Sequence, residues 1–321
     1  MKVEEIRNIG VIGAGLMGHG IAQVFAIKGY RVKLFDNDSG VLKSAPERIG
    51  NNLQTLLEMG LVESRELEDC LNRIQLSHTL TEMCEGVELV IEAVSENLDL
   101  KRAIFSDLER LTPPQTILCS NTSGISISLI SEKLQFKERV VGTHFWNPPH
   151  IIPCVEVIKS QFTGDEEFHT VIELMERVGK EPVRVLMDVP GFLGNRLQHA
   201  LWREAISLVE KGIAEPQDVD RVVKYGFGLR LPFLGPLETA DLAGLDLTYD
   251  IHQYLFLDLE NRSTPSPLLK TLVDQKTIGV KAKKGFYHWT DESIKQIIQQ
   301  RDKALLKITE VIKGLNREKK R

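Results

Sequence analysis

The chain is poor in cysteine. Of its 321 residues only four, Cys70, Cys84, Cys119 and Cys154, carry a thiol, and no two form a CxxC pair. That spacing speaks against a structural zinc or any other metal and against a disulfide scaffold, and it points to a reduced, cytoplasmic setting. No apolar run approaches the roughly 18 residues a membrane span needs. The opening Met1-Lys2-Val3-Glu4-Glu5 lacks the charged-then-apolar order of a secretory signal. Positive charge is not in excess either. Its 40 basic and 45 acidic residues leave a net charge of −5, which disfavours nonspecific nucleic-acid binding. There is no internal repeat and no low-complexity tract. What is present is an ordinary globular balance, 42% hydrophobic and 26% charged, in a chain long enough for two domains.

The first half alternates short apolar runs with amphipathic helical patterns. Strands are predicted at 8–12, 31–35, 87–94, 116–119, 140–145, 155–158 and 183–186. Helical spacing covers Leu98 to Leu111 and Asp165 to Gly179. This alternation predicts an α/β fold with a doubly wound, largely parallel sheet. From Ser39 to His78 no strand is expected. Two helical patterns broken near Met59-Gly60 predict a helical hairpin inserted there. Beyond Pro190-Gly191 the strands stop and helical patterns follow, so the expected domains are 1–188 and 189–321, the second all-α. The chain from Asp291 to its end reads as one charged, solvated helix with a basic tail.

Gly13-Ala14-Gly15-Leu16-Met17-Gly18 is a GxGxxG. The motif alone is weak, because glycines are common. Here it follows a predicted strand, opens a helical pattern, and precedes by about twenty residues an acid at the end of the next strand, Asp36. Gly13 permits the turn, Gly15 lets backbone approach a pyrophosphate, and Gly18 lets helix and strand pack closely. Asp36 would accept hydrogen bonds from the adenosine ribose and repel a 2′-phosphate. The expected cofactor is therefore NAD.

Two polar clusters follow. Ser120-Asn121-Thr122-Ser123 ends a strand and reads equally as a ligand-facing turn or a helix cap. His144 ends another strand. A lone histidine there is commonly a satisfied core residue, yet alcohol oxidation needs a base of near-neutral pKa. Glu156, on the next strand pattern, is placed to hold the second ring nitrogen, although spacing cannot prove the pair.

Taken together, GAGLMG, IEAVSENLDLK (91–101), SNTS, HFWNP with VEVI, PGFLGNR, GPLETADLAGLD and KKGFYHW resemble the L-3-hydroxyacyl-CoA dehydrogenase family along nearly the whole chain. The resemblance implies a Rossmann-type domain followed by a helical dimerisation domain, and hence a homodimer. It implies His144 as catalytic base with Glu156 orienting it, and Ser123 and Asn195 on the substrate oxygen. It also implies a cofactor set of Gly13, Gly15, Leu16, Met17, Gly18, Asp36, Glu96, Lys101, Asn121, Ser123 and Asn147.

The expected activity is interconversion of a short-chain L-3-hydroxyacyl-CoA and its 3-ketoacyl-CoA. Two features depart from that substrate. The family's acyl-CoA enzymes place cations on the inserted hairpin, but here no lysine lies between Lys43 and Lys101, leaving Arg48, Arg65 and Arg73 to compensate. The Trp146 and Pro149-His150-Ile151-Ile152-Pro153 wording is similar to branches acting on small non-CoA hydroxy compounds, of the L-carnitine or pyridine-carboxylate type. His150 is a second polar candidate there, or a surface turn residue. A more distant alternative is an NAD-binding structural protein.

Overall fold

The structure, a computed structural model, describes residues 1–318. The chain divides into two compact units, Met1–Arg196 and Leu197–Arg321. The break falls later than the 188/189 border expected from the end of the strand series. The reason is local. Leu193 and Gly194 donate backbone N–H bonds to Glu156, and Asn195 bonds Ser123, so this stretch belongs with the first unit.

The first unit is built on an eight-stranded sheet. Its strands are β1 (Asn8–Ile12), β2 (Arg31–Phe35), β3 (Ile74–Ser77), β4 (Leu89–Glu92), β5 (Ile117–Ser120), β6 (Val140–Phe145), β7 (Cys154–Ile158) and β8 (Glu181–Val185). Their order is β3-β2-β1-β4-β5-β6-β7-β8, and all neighbours run parallel except β6 and β7. The central strands β4, β5 and β6 are buried at every position. That is why they read as unbroken apolar runs and not as alternations. The order reverses between β1 and β4, and ligands of such sheets bind at the carboxyl ends of the strands beside that switch point.

Helices cover the sheet: α1 (Gly18–Ile27), α2 (Ser39–Glu58), α3 (Ser64–Asn72), α4 (Leu80–Cys84), α5 (Leu98–Leu111), α6 (Ile127–Ser131) and α7 (Asp165–Arg177). Side chains start several of them. Asp38 accepts from Gly40 and Val41 N at the head of α2, and Asn97 accepts from Leu100 N at the head of α5. Phe105 and Leu108 of α5 pack with Leu118, Val140, Ile158 and Phe192 in one core cluster.

The inserted hairpin is α2 and α3, joined through Gly60, which has a φ of 70°. One expectation fails here. β3 lies inside the interval where no strand was expected. It is a four-residue edge strand whose one strand partner among the described residues is β2, so Ile74-Gln75-Leu76-Ser77 needs no longer apolar run.

The second unit is helical. It holds most of α8 (Gly194–Glu210), then α9 (Pro216–Tyr225), α10 (Pro236–Ala243), α11 (Leu245–Leu255), α12 (Pro267–Asp274) and α13 (Asp291–Glu318). Arg262 ties it together, pairing with Glu210 at 3.1 Å and Glu260 at 2.7 Å. The terminal helix predicted from Asp291 is present as α13, and the basic tail at 319–321 lies outside the described residues.

Candidate active site

The loop after β1 is shaped by contacts no side chain permits. Gly13 has a φ of 89°, and a Cβ there would lie 2.5 Å from the Ala93 carbonyl oxygen. At Gly18 a Cβ would lie 1.6 Å from the Gly13 oxygen. Gly15 differs: nothing lies within 4 Å of its would-be Cβ, so its open side is free for a ligand. Leu16 is exposed and Met17 half-buried, and α1 begins immediately after them with its amides unfilled by a capping side chain. Asp36, at the end of β2, accepts from Ala14 N at 2.7 Å and from Asp38 N at 2.9 Å, which fixes its carboxylate beside the loop. An open glycine, a helix N-terminus and a fixed acid fit a dinucleotide pyrophosphate and ribose.

Two loop braces escaped the sequence reading. Arg48 of α2 donates to the Ala14 oxygen at 2.7 Å and the Gly15 oxygen at 3.2 Å. His19 places Nδ1 2.6 Å from the same Gly15 oxygen. Burial holds the His19 pKa below its ordinary value; the Gly15 bond opposes this and the Arg48 charge reinforces it. A neutral His19 with its proton on Nδ1 follows.

His144 and Glu156 are directly opposed across the antiparallel β6–β7 pair. This register puts both side chains on one face. His144 Nδ1 lies 2.7 Å from Glu156 Oε2, and both residues are almost fully buried. The other oxygen, Glu156 Oε1, accepts from Leu193 N and Gly194 N, each at 2.9 Å. Burial alone would raise the Glu156 pKa. The His144 bond and the two amides outweigh it and hold the carboxyl below its ordinary value. An ionised carboxylate can only accept, so His144 carries its proton on Nδ1 and leaves Nε2 as the basic nitrogen. Trp146 and Phe192 flank the imidazole, with ring centroids at 5.2 and 5.9 Å. Trp146 in turn requires Gly194, where a Cβ would lie 2.2 Å from the indole Cζ2.

Ser123 is exposed on the turn after β5. Asn195 donates to its carbonyl at 2.7 Å. The turn is also gripped by Glu96. Its Oε1 accepts from Thr122 Oγ1 at 2.6 Å, Ser123 N at 3.0 Å and Gly124 N at 3.1 Å. Burial opposes ionisation of Glu96, but these bonds and the Lys101 charge prevail and lower its pKa.

Other expected ligand residues differ in exposure. Asn121 is nearly buried, with Oδ1 accepting from Phe145 N at 2.9 Å. Asn147 is exposed beyond β6. Lys101 is fully buried, 2.7 Å from Glu92 and 3.5 Å from Glu96. Its ammonium is thus paired with two carboxylates, the buried Glu92 and the more exposed Glu96. His150 lies against the hairpin, its Nδ1 3.5 Å from Asn52 Nδ2. Among the described residues no group of three or more His, Cys, Asp or Glu is placed to hold a metal ion, and no helix is long and apolar enough to cross a membrane.

Comparison with known proteins agrees with this geometry. Residues 8–189 match the NAD-binding domain of 3-hydroxyacyl-CoA dehydrogenase, and residues 191–289 match its C-terminal domain. A 5-formyl-3-hydroxy-2-methylpyridine 4-carboxylate 5-dehydrogenase of Mesorhizobium japonicum is 33% identical over 96% of this chain and 99% of its own. A probable 3-hydroxybutyryl-CoA dehydrogenase of Bacillus subtilis is 38% identical over 90% of this chain and 99% of its own. Among solved structures, one such pyridine-carboxylate dehydrogenase, described as an NAD+-dependent dismutase, superposes with a TM-score of 0.90 over 96% of this chain and 99% of that one, at 33% identity. The (S)-3-hydroxybutyryl-CoA dehydrogenase of Ralstonia eutropha gives 0.75 over 89% of this chain and all of that one, at 30% identity. With a dinucleotide loop, a buried His–Glu pair and both domain matches in place, the chain belongs to the 3-hydroxyacyl-CoA dehydrogenase family and is an NAD-dependent oxidoreductase acting on a CH–OH group.

Proposed function

We propose that this dehydrogenase acts on a small free hydroxy compound, of the pyridine-carboxylate or L-carnitine type, in preference to a CoA ester. The observation that carries this reading is the charge of the inserted hairpin. Between Asn51 and Asn72 there are five carboxylates, Glu58, Glu63, Glu66, Glu68 and Asp69, against a single cation, Arg65. Two arginines of the right charge to compensate are engaged elsewhere. Arg48 holds the glycine loop, and Arg73 bonds the Ala26 oxygen and pairs with Asp69. A CoA nucleotide is strongly anionic and needs cations where this surface offers acids. The full-length likeness to the pyridine-carboxylate dehydrogenase supports the same reading. The short-chain 3-hydroxyacyl-CoA reading rests on the 38% identical Bacillus relative.

The chemistry uses one H–C–O–H group, which an alcohol and a hydrated aldehyde share. His144 Nε2 takes the hydroxyl proton as the C–H bond breaks. NAD, when bound, accepts the hydride. Glu156 stabilises the imidazolium that forms, and its two amide donors keep it ionised and fixed. Ser123 steadies the substrate oxygen. Asn195 assists with the amide N–H it does not spend on the Ser123 carbonyl. Glu96, Asn121 and Asn147 would border the nicotinamide side.

Titrating the NADH-loaded protein with free coenzyme A tests the substrate class. We expect no competition with turnover below about millimolar CoA. Competitive inhibition at micromolar CoA would restore the CoA-ester reading.

A further inference from the structure

The mechanism leaves Glu92 without a role, yet its placement is costly. It ends β4 beside the switch point and is fully buried, as are Lys101 and Ser120. Removing a carboxylate and an ammonium from water carries a penalty that a packed apolar pair would avoid. The bonds around Glu92 show what this arrangement holds. Its Oε1 accepts from Lys101 Nζ at 2.7 Å and Val94 N at 2.8 Å, and its Oε2 accepts from Ser120 Oγ at 2.7 Å. Lys101 stands in the first turn of α5, whose start is fixed by the Asn97 cap. From there its ammonium reaches Glu96 Oε2 at 3.5 Å. Glu96 passes the constraint on through its other oxygen, which receives donors from three consecutive residues, Thr122, Ser123 and Gly124. Both ends of the turn are therefore anchored to one ion cluster. Ser120 is held by Glu92, and residues 122–124 are held by Glu96.

We propose that Glu92 and Lys101 are positioning residues that act through Glu96 to fix the backbone of the Ser123 turn, and with it the hydroxyl that meets the substrate oxygen. The proposal rests on the substrate role given to Ser123 above. It assigns Lys101 to the substrate side of the site through a relay. Glu96 is half-exposed, so a bare glutamate there would be free to rotate; the buried ammonium beneath it fixes one oxygen and aims the other. Small displacements of such a group are costly to turnover because reacting atoms must be held within a fraction of an ångström.

A double-mutant cycle tests the relay. The assay is NAD(H) turnover with whichever of L-carnitine, a hydroxymethylpyridine carboxylate or acetoacetyl-CoA the protein uses best. Glu96→Gln should lower kcat/KM about tenfold, the size of one lost charge-assisted hydrogen bond, mainly through substrate KM. Because Glu96 also borders the nicotinamide side, turnover is measured at NAD(H) concentrations that saturate each variant, set from dissociation constants read by fluorescence. In a Ser123→Ala background the same change should cost little, because the hydroxyl that Glu96 positions is gone. A Glu96→Gln effect that persists at full size beside Ser123→Ala would overturn the relay. An inert Ser123→Ala would remove the proposed role of Ser123 and the relay with it. Hydrogen exchange needs no substrate. Lys101→Met touches neither amide, yet it should speed exchange at Ser123 and Gly124 about tenfold in the NADH complex. If Lys101→Met fails to fold, the Glu92→Gln, Lys101→Met pair replaces it, and unchanged exchange in either protein contradicts the relay.

Discussion

Glu156 holds a negative charge in a nearly dry site, and three donors decide its behaviour. With its folded pKa depressed, its contribution to stability is present above the ordinary carboxylate pKa. It is lost as pH falls through the lower, folded value. Glu156→Gln should therefore lower turnover by roughly a hundred- to ten-thousand-fold while NADH binding survives. The urea midpoint of the unsubstituted protein should exceed that of Glu156→Gln at neutral pH, and the gap should narrow below about pH 4.3. A gap unchanged from pH 7 to pH 3 would mean the carboxylate is not held ionised as described. Residue types at this site were legible: a histidine ending one strand and a glutamate on the next. Spacing suggested their pairing without proving it, because the pair depends on the antiparallel register of His144 with Glu156. The amides of Leu193 and Gly194 leave no trace in a sequence, since any non-proline residue supplies one. Glu92 is one of two carboxylates in the apolar run 87–94, with Glu88, and burial in the ion cluster is what distinguishes it.

At the scale of elements, the two later glycines of the loop do different work, and substitution separates them. Gly18→Ala places a methyl against the Gly13 backbone, so α1 must shift away from β1, at a cost of about 1–3 kcal/mol. Gly15→Ala meets open space, so its thermal midpoint should match the unsubstituted protein while NADH binds at least about tenfold more weakly. Equal NADH affinity in Gly15→Ala would show that this side of the loop does not face the cofactor. Strands and helices with strong periodicity were legible in sequence, α5 among them at Leu98–Leu111. β3 was not, because an edge strand four residues long needs neither a long apolar run nor two neighbours. The hairpin was legible as two helices with a break. Its role in bracing the glycine loop through Arg48 was not, because that contact joins residues more than thirty positions apart.

At the scale of the whole molecule, the helical unit presents large apolar side chains to the outside. Tyr225, Leu237, Leu242 and Leu257 are all more than 70% exposed. Such a surface argues for a partner, and we propose a second copy of this chain, forming a homodimer. Light scattering should give a mass near twice 36.2 kDa at micromolar concentration, and a monomer there would contradict the proposal. The proposed substrate class is tested at this scale, where the acidic hairpin and the His144–Glu156 pair would meet the same ligand. The most direct measurement is NAD reduction at 340 nm with L-carnitine and a hydroxymethylpyridine carboxylate, set against (S)-3-hydroxybutyryl-CoA at equal concentration. A free compound should be turned over with a kcat/KM at least about tenfold above that of the CoA ester, and His144→Gln should abolish the signal. Efficient turnover of the CoA ester alone would contradict the proposed substrate class.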